Sequence, residues 1–309
     1  MTPPTIRDRL AGGVWGHLVG DAMGVPYEFK KPSGIRRVTF GAAGSHHQPP
    51  GTWSDDGAMM LATLDSLLSV GFDPADQGRR FLDWFHRGGY TPDGDGAFDY
   101  GGVTAAALDR LRHGAAAETA GGKRENENGN GSLMRILPLA LVGRDLMWPT
   151  LVDQAHRSSR VTHGHAWSQA TCALYVLVAQ ALLNGADREA ALATATTRLR
   201  SEYDRSESGE AMASALARLL GHPLREGRGF VVDSFWSAWD AFAGAKNYEE
   251  TVVRAISYGN DTDTTACIAG GLAGITWGIG GIPEPWVTSM RGHAVADPLV
   301  ERLLTVPVD

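Results

Sequence analysis

DTDTTACIAGGLAGITWGI, residues 261–279, is the most informative segment for the fold of this chain. It predicts a helix in which Gly270, Gly274 and Gly278 recur every four residues, and Gly271 adds a further glycine between them. Each glycine costs roughly 1 kcal/mol against alanine inside a helix, so the sequence needs a compensating gain from close packing. We therefore expect a core helix pressed against other helices, which holds the carboxylates at its N-terminal end at a fixed, buried depth.

A second glycine-rich helix lies near the start of the chain. Residues 5–8 resemble a capping box, with Asp in place of Glu, and predict a helix that runs to about residue 23. Elsewhere helical periodicity dominates and period-2 alternation is scarce. Further helices are predicted at residues 55–70, 76–87, 102–112, 132–142, 151–158, 165–184, 188–200, 209–220, 234–243, 248–258 and 297–304.

Two segments fall outside this helical pattern. Residues 113–131 are rich in Gly, Ala, Glu and Asn and are predicted to form a mobile loop. Residues 230–233 are predicted to form a lone extended stretch. Neither a repeat nor a long linker divides the chain, so the sequence predicts an all-α fold, a single domain over residues 1–309 with a central buried helix layer.

The composition is that of an ordinary soluble globular protein, with 309 residues, of which 43% are hydrophobic and 20% charged. A net charge of −7 gives no general attraction to nucleic acids or to anionic membranes. The cysteines, Cys172 and Cys267, lie in small apolar helical surroundings, which argues against disulfides and for a reducing compartment. A signal peptide and an apolar run of the ~18 residues needed for a membrane span are both missing. We expect a cytoplasmic protein without membrane or nucleic-acid partners.

Two short acidic strings, Ser54-Asp55-Asp56 and Asp261-Thr262-Asp263-Thr264, stand at predicted helix starts. One interpretation is structural, because such residues cap a helix and complement its dipole. The other is a metal site, since ligands that are all oxygen suit hard cations such as Mg²⁺ or Mn²⁺ and not zinc. If the strings meet, two divalent cations would cancel the charge of −4 on their four carboxylates. The repeated acid-plus-hydroxyl pattern favours the metal site.

Two further motifs suggest ligand contacts. Gly129-Asn130-Gly131-Ser132 precedes a predicted helix, where backbone N–H groups could approach phosphate oxygens, although a plain flexible turn explains the motif equally well. Arg135 either contacts phosphate or bridges helices. Thr162-His163-Gly164-His165 contains two histidines, but no third nitrogen or sulfur ligand for zinc is nearby. A helix cap plus a ligand-facing imidazole is the better interpretation.

Six strings, taken together, resemble the ADP-ribosylglycohydrolase family. They are similar to its first signature, first metal string, central loop, phosphate loop, ligand-lining pair and second metal string. In chain order they are GDAMGVPYEF (residues 20–29), SDD (54–56), FDYG (98–101), GNGSLMR (129–135), TH (162–163) and GNDTDT (259–264). The serine of SDD replaces the family's usual threonine and keeps the donor oxygen. Because the order also agrees, the resemblance covers nearly the whole chain, from residue 12 to residue 280.

The resemblance implies an orthogonal multi-helix bundle with a di-metal cleft for two Mg²⁺ ions, with Mn²⁺ as a substitute. The implied metal ligands are Ser54, Asp55, Asp56, Asp261, Asp263 and Thr264. The implied ADP-ribose contacts are Gly101, Gly129, Asn130, Gly131, Ser132 and His163. The implied catalytic residues are Glu28, Asp99, Asp55 and Asp56. Either Glu28 or Asp99 acts as the general acid–base, and the sequence leaves that choice open.

The function implied by the resemblance is Mg²⁺-dependent hydrolysis of the glycosidic bond between ADP-ribose and a modified acceptor. A protein arginine is favoured, because the first signature is closer to the bacterial arginine-directed branch. The expected partners are therefore ADP-ribose or an ADP-ribosylated protein. The alternatives are hydrolysis of serine-linked or other O-linked adducts, phosphohydrolysis of the diphosphate, and a non-catalytic ADP-ribose-binding regulator. The retained carboxylates argue against the regulator.

Overall fold

The computed structural model describes residues 3–42, 44–94, 96–205 and 209–306. These residues form fifteen α-helices and no β-strand, with two isolated β-bridges, so the all-α prediction is confirmed. The helices are α1 (Ile6–Gly24), α2 (Asp55–Val70), α3 (Pro74–Arg87), α4 (Gly102–Arg112), α5 (Ala117–Ala120), α6 (Pro138–Val142), α7 (Trp148–Ser159), α8 (Ala166–Leu183), α9 (Arg188–Tyr203), α10 (Gly209–Leu220), α11 (Val231–Ala243), α12 (Tyr248–Ser257), α13 (Thr262–Trp277), α14 (Glu284–Thr288) and α15 (His293–Thr305).

The two glycine-rich helices, α1 and α13, pack backbone against backbone at the centre of this bundle. A methyl group placed on Gly274 would lie 1.8 Å from the carbonyl oxygen of Gly12. One placed on Gly16 would lie 2.4 Å from the carbonyl oxygen of Gly270. Only glycine permits so close an approach. The core helix predicted at residues 261–279 is therefore confirmed, and its partner is the first helix of the chain.

The capping residues begin their helices as predicted. The Thr5 hydroxyl accepts from the Asp8 N–H at 3.2 Å, and the Asp8 carboxylate accepts from the Thr5 N–H at 2.9 Å, which completes the capping box of α1. Ser54 is the N-cap of α2. His165 Nδ1 accepts from the Trp167 N–H at 3.2 Å, so the predicted histidine cap of α8 is confirmed.

Several segments differ from the prediction, including α14, which was not predicted, and α15, which begins at His293 and not at residue 297. The helix predicted at residues 132–142 begins only at Pro138, because residues 131–135 form turns and proline fits the first position of a helix, where its missing N–H costs nothing. The stretch predicted to be extended at residues 230–233 is helical from Val231 onward. The loop predicted at residues 113–131 contains α5 and a 3₁₀ turn, both too short for periodicity to detect.

Helix α8 corrects the expectation about apolar runs. It has 18 residues and is long and apolar enough, by length and composition, to cross a membrane. However, 83% of this helix is buried inside the protein, where α7, α9 and α10 pack around it. A helix that is apolar on all sides and covered by its neighbours is a core helix of the bundle.

Candidate metal and substrate site

The two acidic strings meet in space, although 208 residues separate Asp56 from Thr264. The Thr264 hydroxyl lies 3.4 Å from Asp56 Oδ1, and Cys267 Sγ lies 3.1 Å from Asp56 Oδ2. Asp55 and Asp56 stand in the first turn of α2, and Asp263 stands in the first turn of α13. Two helix starts therefore converge on one place, as a shared metal site requires.

Asp21, on α1, supports this site and was not singled out from the sequence. Its carboxylate accepts backbone N–H bonds from Ser54 at 3.0 Å and from Gly57 at 2.7 Å, so α1 caps the start of α2. Burial raises the pKa of Asp21 to about 7, and these two bonds oppose the rise. Asp21 is the only acidic residue in the apolar, glycine-rich part of α1 after Asp8, and this was the available signal, because a buried carboxylate needs hydrogen-bond partners.

The clustered carboxylates could hold a hard cation. One carboxylate oxygen from each of Glu28, Asp261 and Asp263 lies within 4.8 Å of the other two. Burial, and then the charges of neighbouring aspartates, raise the pKa values of Asp55, Asp56 and Asp263 well above the usual range. No Lys or Arg in the described part of the chain pairs with these groups. Oxygen donors with uncompensated negative charge fit Mg²⁺ or Mn²⁺.

His46 joins the two acid–base candidates and was missed in the sequence. Its Nε2 contacts Glu28 Oε2 and lies 3.4 Å from Asp99 Oδ1. The rings of Phe29 and Phe98 flank the imidazole, with centroid distances of 5.7 and 5.5 Å. Residues 44–50 contain no helix, so periodicity offered no signal for this contact.

Glu28 and Asp99 occupy an environment that favours their neutral forms. Burial, followed by the charges of Asp263 and Asp261, raises the pKa of Glu28 to about 9. Burial, opposed by a hydrogen bond with Asp263 and reinforced by the charge of Asp55, raises the pKa of Asp99 to about 10. Groups with such shifted pKa values in a cleft are candidates for proton transfer.

Backbone hydrogen bonds tie the Glu28 segment to the second acidic string. The Phe29 N–H donates to the Asn260 carbonyl at 2.6 Å, and the Asn260 N–H donates to the Lys30 carbonyl at 2.8 Å. Phe29, Asn260 and Asp99 have φ values of 62°, 61° and 71°, which non-glycine residues rarely adopt. Each of three site segments therefore contains a strained residue, a feature that concentrates at functional sites.

The site borders a cleft with a volume of about 600 Å³. The predicted site residues that line it are Glu28, Asp55, Asp56, Asp99, Gly101, Gly129, Asn130, Gly131, His163, Asp261 and Thr264. The predicted site residues Ser54, Asp263 and Ser132 do not line it and are at most 2% exposed. Helix α4 begins at the cleft, with Gly101 as its N-cap and Gly102 to Thr104 on the wall. Its free amides give this wall a positive partial charge.

The glycine loop at residues 129–132 is a turn and not a helix start. The Leu133 N–H donates to the Asn130 carbonyl at 2.7 Å. The Asn130 side chain donates to Asp261 Oδ2 at 2.7 Å, so it orients a candidate metal ligand. The Ser132 hydroxyl is bonded inside the core. The predicted helix start behind this loop is therefore wrong, and the helix start that lies against this turn and lines the cleft is that of α4.

His163 lines the cleft beside the glycine turn. Its Nδ1 lies 2.9 Å from Thr162 Oγ1, and Arg135 Nη2 donates to the same oxygen at 2.9 Å. With the Thr162 hydroxyl donating to Nδ1, the ring proton would lie on Nε2, toward a ligand. Burial lowers the pKa of His163 to about 3, so the ring is neutral. Arg135 is fully buried and bridges segments of the core, as the second of its two interpretations predicts.

Comparisons with known proteins agree with this geometry. A sequence model of the ADP-ribosylglycohydrolase family matches residues 2–308. The ADP-ribosylarginine hydrolase Tri1 of Pseudomonas putida (strain GB-1) is 30% identical over 98% of this chain and 80% of its own length. The ADP-ribosyl-[dinitrogen reductase] glycohydrolase of Rhodospirillum rubrum is 28% identical over 100% of this chain and 97% of its own length.

A solved structure leads to the same result. A chain described as an ADP-ribosylglycohydrolase-related protein complex superimposes with a TM-score of 0.80 at 30% identity. The superposition covers 98% of this chain and 99% of that chain. Sequence, fold and relatives therefore agree over almost the full length, and the protein belongs to the ADP-ribosylglycohydrolase family of hydrolases.

Proposed function

We propose that this protein is a Mg²⁺-dependent hydrolase that releases ADP-ribose from modified protein arginines. The observation that carries the proposal is the convergence of the α2 and α13 starts, which brings Asp56 and Thr264 within 3.4 Å at the wall of the cleft. A cleft of about 600 Å³ is of the size that binds small ligands. Arginine is the favoured acceptor because the Pseudomonas putida relative is named an ADP-ribosylarginine hydrolase.

The metal ligands proposed for two cations are Ser54, Asp55, Asp56, Asp261, Asp263 and Thr264. They fit a hard cation because every donor is an oxygen and all six residues except Asp261 are at most 5% exposed. No Lys or Arg among the described residues pairs with their carboxylates. Bound Mg²⁺ would supply electrostatic stabilisation and orient the ribose hydroxyls beside the scissile bond. Asn130 and Asp21 assist by holding Asp261 and the start of α2 in place.

Glu28 and Asp99 are the proposed proton carriers. Hydrolysis breaks the bond between the anomeric carbon and the arginine nitrogen, and the oxygen of a water molecule bonds to that carbon. One of the two residues, as a carboxylate, accepts the proton of this water, and the other, as a carboxylic acid, gives its proton to the departing guanidine nitrogen. General acid–base assistance of this kind contributes a factor of roughly 10²–10⁴ in rate. The imidazole of His46 contacts the Glu28 carboxylate and helps to position it.

The diphosphate of ADP-ribose is proposed to lie between the start of α4 and the glycine turn. The amides after Gly101 offer unpaired N–H donors, and His163 offers its Nε2–H. A Cβ atom on Gly131 would lie 2.8 Å from the Thr104 hydroxyl oxygen and 2.9 Å from the His163 ring, so glycine is the residue that fits at this position of the wall. Local N–H donors of this kind explain how a protein with a net charge of −7 holds an anion.

The experiment is incubation with an arginine-ADP-ribosylated protein and Mg²⁺, with and without EDTA. We expect free ADP-ribose with Mg²⁺, none with EDTA, and recovery when Mg²⁺ is added in excess. A serine-linked substrate is run in parallel to identify the acceptor. Release of AMP and ribose phosphate would indicate a phosphohydrolase instead. ADP-ribose binding without release under any divalent cation would favour a regulator.

A further inference from the structure

We propose that Glu28, His46 and Asp99 form a second cation site, which shares Glu28 with the neighbouring Glu28, Asp261 and Asp263 cluster, for a borderline transition-metal cation such as Zn²⁺, which inhibits the enzyme. We call these three residues the imidazole site. One nitrogen and two carboxylate oxygens, one from each residue, all lie within 4.8 Å of one another. The imidazole sets this site apart from the acidic strings, whose donors are all oxygen.

The spacing of the imidazole site suits zinc. Zinc binds histidine nitrogen and carboxylate oxygen at about 2.0–2.2 Å, so donors in a tetrahedral shell lie about 3.4 Å apart. His46 Nε2 and Asp99 Oδ1 are 3.4 Å apart, and Glu28 Oε2 is in contact with the same nitrogen. A cation between the three groups would take the place of the shared proton and needs only small side-chain shifts.

The surroundings of the imidazole site favour a cation and keep the ring in position. The Phe29 and Phe98 rings lie on either side of His46 and limit its rotation. The three side chains are between 7% and 16% exposed, so an ion can reach them while most water is excluded. No Lys or Arg in the described chain pairs with the two carboxylates.

The chemistry of the donors selects the cation. Imidazole nitrogen suits zinc, whereas Mg²⁺ prefers carboxylate, carbonyl and water oxygens. Zinc that is held through the His46 imidazole should therefore stay bound at a Mg²⁺ concentration that saturates the acidic strings. The inhibitory part of the proposal rests on the proposed function, because zinc would engage Glu28 and Asp99, the two proton carriers.

The test is calorimetric titration of Zn²⁺ into the full chain in saturating Mg²⁺. We expect one zinc ion per wild-type chain, and at least about tenfold weaker binding by His46→Ala and His46→Gln. The glutamine side chain of the second variant keeps an N–H donor for Glu28 but lacks the imidazole ligand, so it separates ligation from a structural hydrogen bond. His47→Ala is the matched control, since this neighbouring histidine is exposed and outside the site. Its affinity should equal that of the wild type.

Two further readouts decide the outcome. Co²⁺ in place of Zn²⁺ should give visible absorption bands in the wild type that are lost in His46→Gln. Zinc should also slow ADP-ribose release by the wild type more than by His46→Ala, each relative to its own zinc-free rate. Zinc that binds His46→Gln as tightly as the wild type, or that excess Mg²⁺ displaces, would assign zinc to the aspartates and overturn the proposal. If arginine-linked ADP-ribose is not hydrolysed at all, the proposed function fails, while calorimetry still decides the zinc site.

Discussion

Asp263 is a buried carboxyl group on which burial and the repulsion of neighbouring carboxylates act together. It is 2% exposed, and after burial itself the charges of Asp99 and Asp261 raise its pKa most. We predict that Asp263→Asn abolishes Mg²⁺ binding and turnover, yet raises the unfolding free energy of the metal-free protein by on the order of 1–3 kcal/mol, because the folded protein no longer has to hold a carboxyl whose charged form is disfavoured by burial and by Asp99 and Asp261. Calorimetry with Mg²⁺ and urea unfolding in EDTA measure the two effects. Asp109→Asn, on an exposed carboxylate, should change neither.

Glu28 is a residue whose replacement separates substrate binding from chemistry. We predict that Glu28→Gln preserves ADP-ribose affinity within a few-fold and slows release by roughly 10²–10⁴, since the amide can neither accept nor carry the proton. Single-turnover rates and the Kd for ADP-ribose measure the two quantities. A rate equal to the wild-type rate would transfer the role to Asp99, whose Asn variant serves as the comparison.

At the scale of elements, the α1–α13 contact decides the stability of the fold. Gly274→Ala would place a methyl group 1.8 Å from the Gly12 carbonyl, and that backbone cannot move aside cheaply. The roughly 1 kcal/mol that alanine gains in a free helix is outweighed, so we predict a net destabilisation of about 1–3 kcal/mol or more. Urea unfolding measures it. Gly280→Ala is the control, because no neighbouring atom lies within 4 Å of the added methyl group. Equal losses of unfolding free energy for the two variants would show that the α1–α13 contact does not determine the stability.

The elements also show what a sequence can and cannot predict. Helix α2 was predicted with its correct ends, since Ser54 and the apolar periodicity act locally along the chain. The glycines of residues 261–279 predicted close packing, but spacing alone could not identify α1 as the partner. His46 lies in a segment without a helix, and Asp21 acts on a backbone more than thirty residues away. Local rules give the chemistry of such residues and not the distances between them.

At the scale of the whole molecule, the bundle buries a cluster of carboxylates that it does not neutralise. Burial and mutual repulsion raise the pKa of Glu28 to about 9 and that of Asp99 to about 10. In the unfolded chain both groups return to their ordinary values of 4.5 and 3.8. Between these limits the folded protein binds more protons than the unfolded chain, so its stability falls as pH rises.

We therefore predict that the metal-free protein loses stability between about pH 7 and about pH 9, by at most about 1.4 kcal/mol per pH unit for each such group. This window avoids the buried His156 and His163, whose pKa values are lowered to about 3 from 6.5. Above pH 6.5 both imidazoles are neutral in the folded and in the unfolded protein, so they cannot cause a loss of stability between about pH 7 and about pH 9. Urea unfolding in EDTA across the window measures the slope. Saturating Mg²⁺ should flatten it by supplying the missing positive charge, and Glu28→Gln should reduce it without metal. A stability that does not fall with pH in EDTA would mean that these carboxylates are already charged in the folded protein.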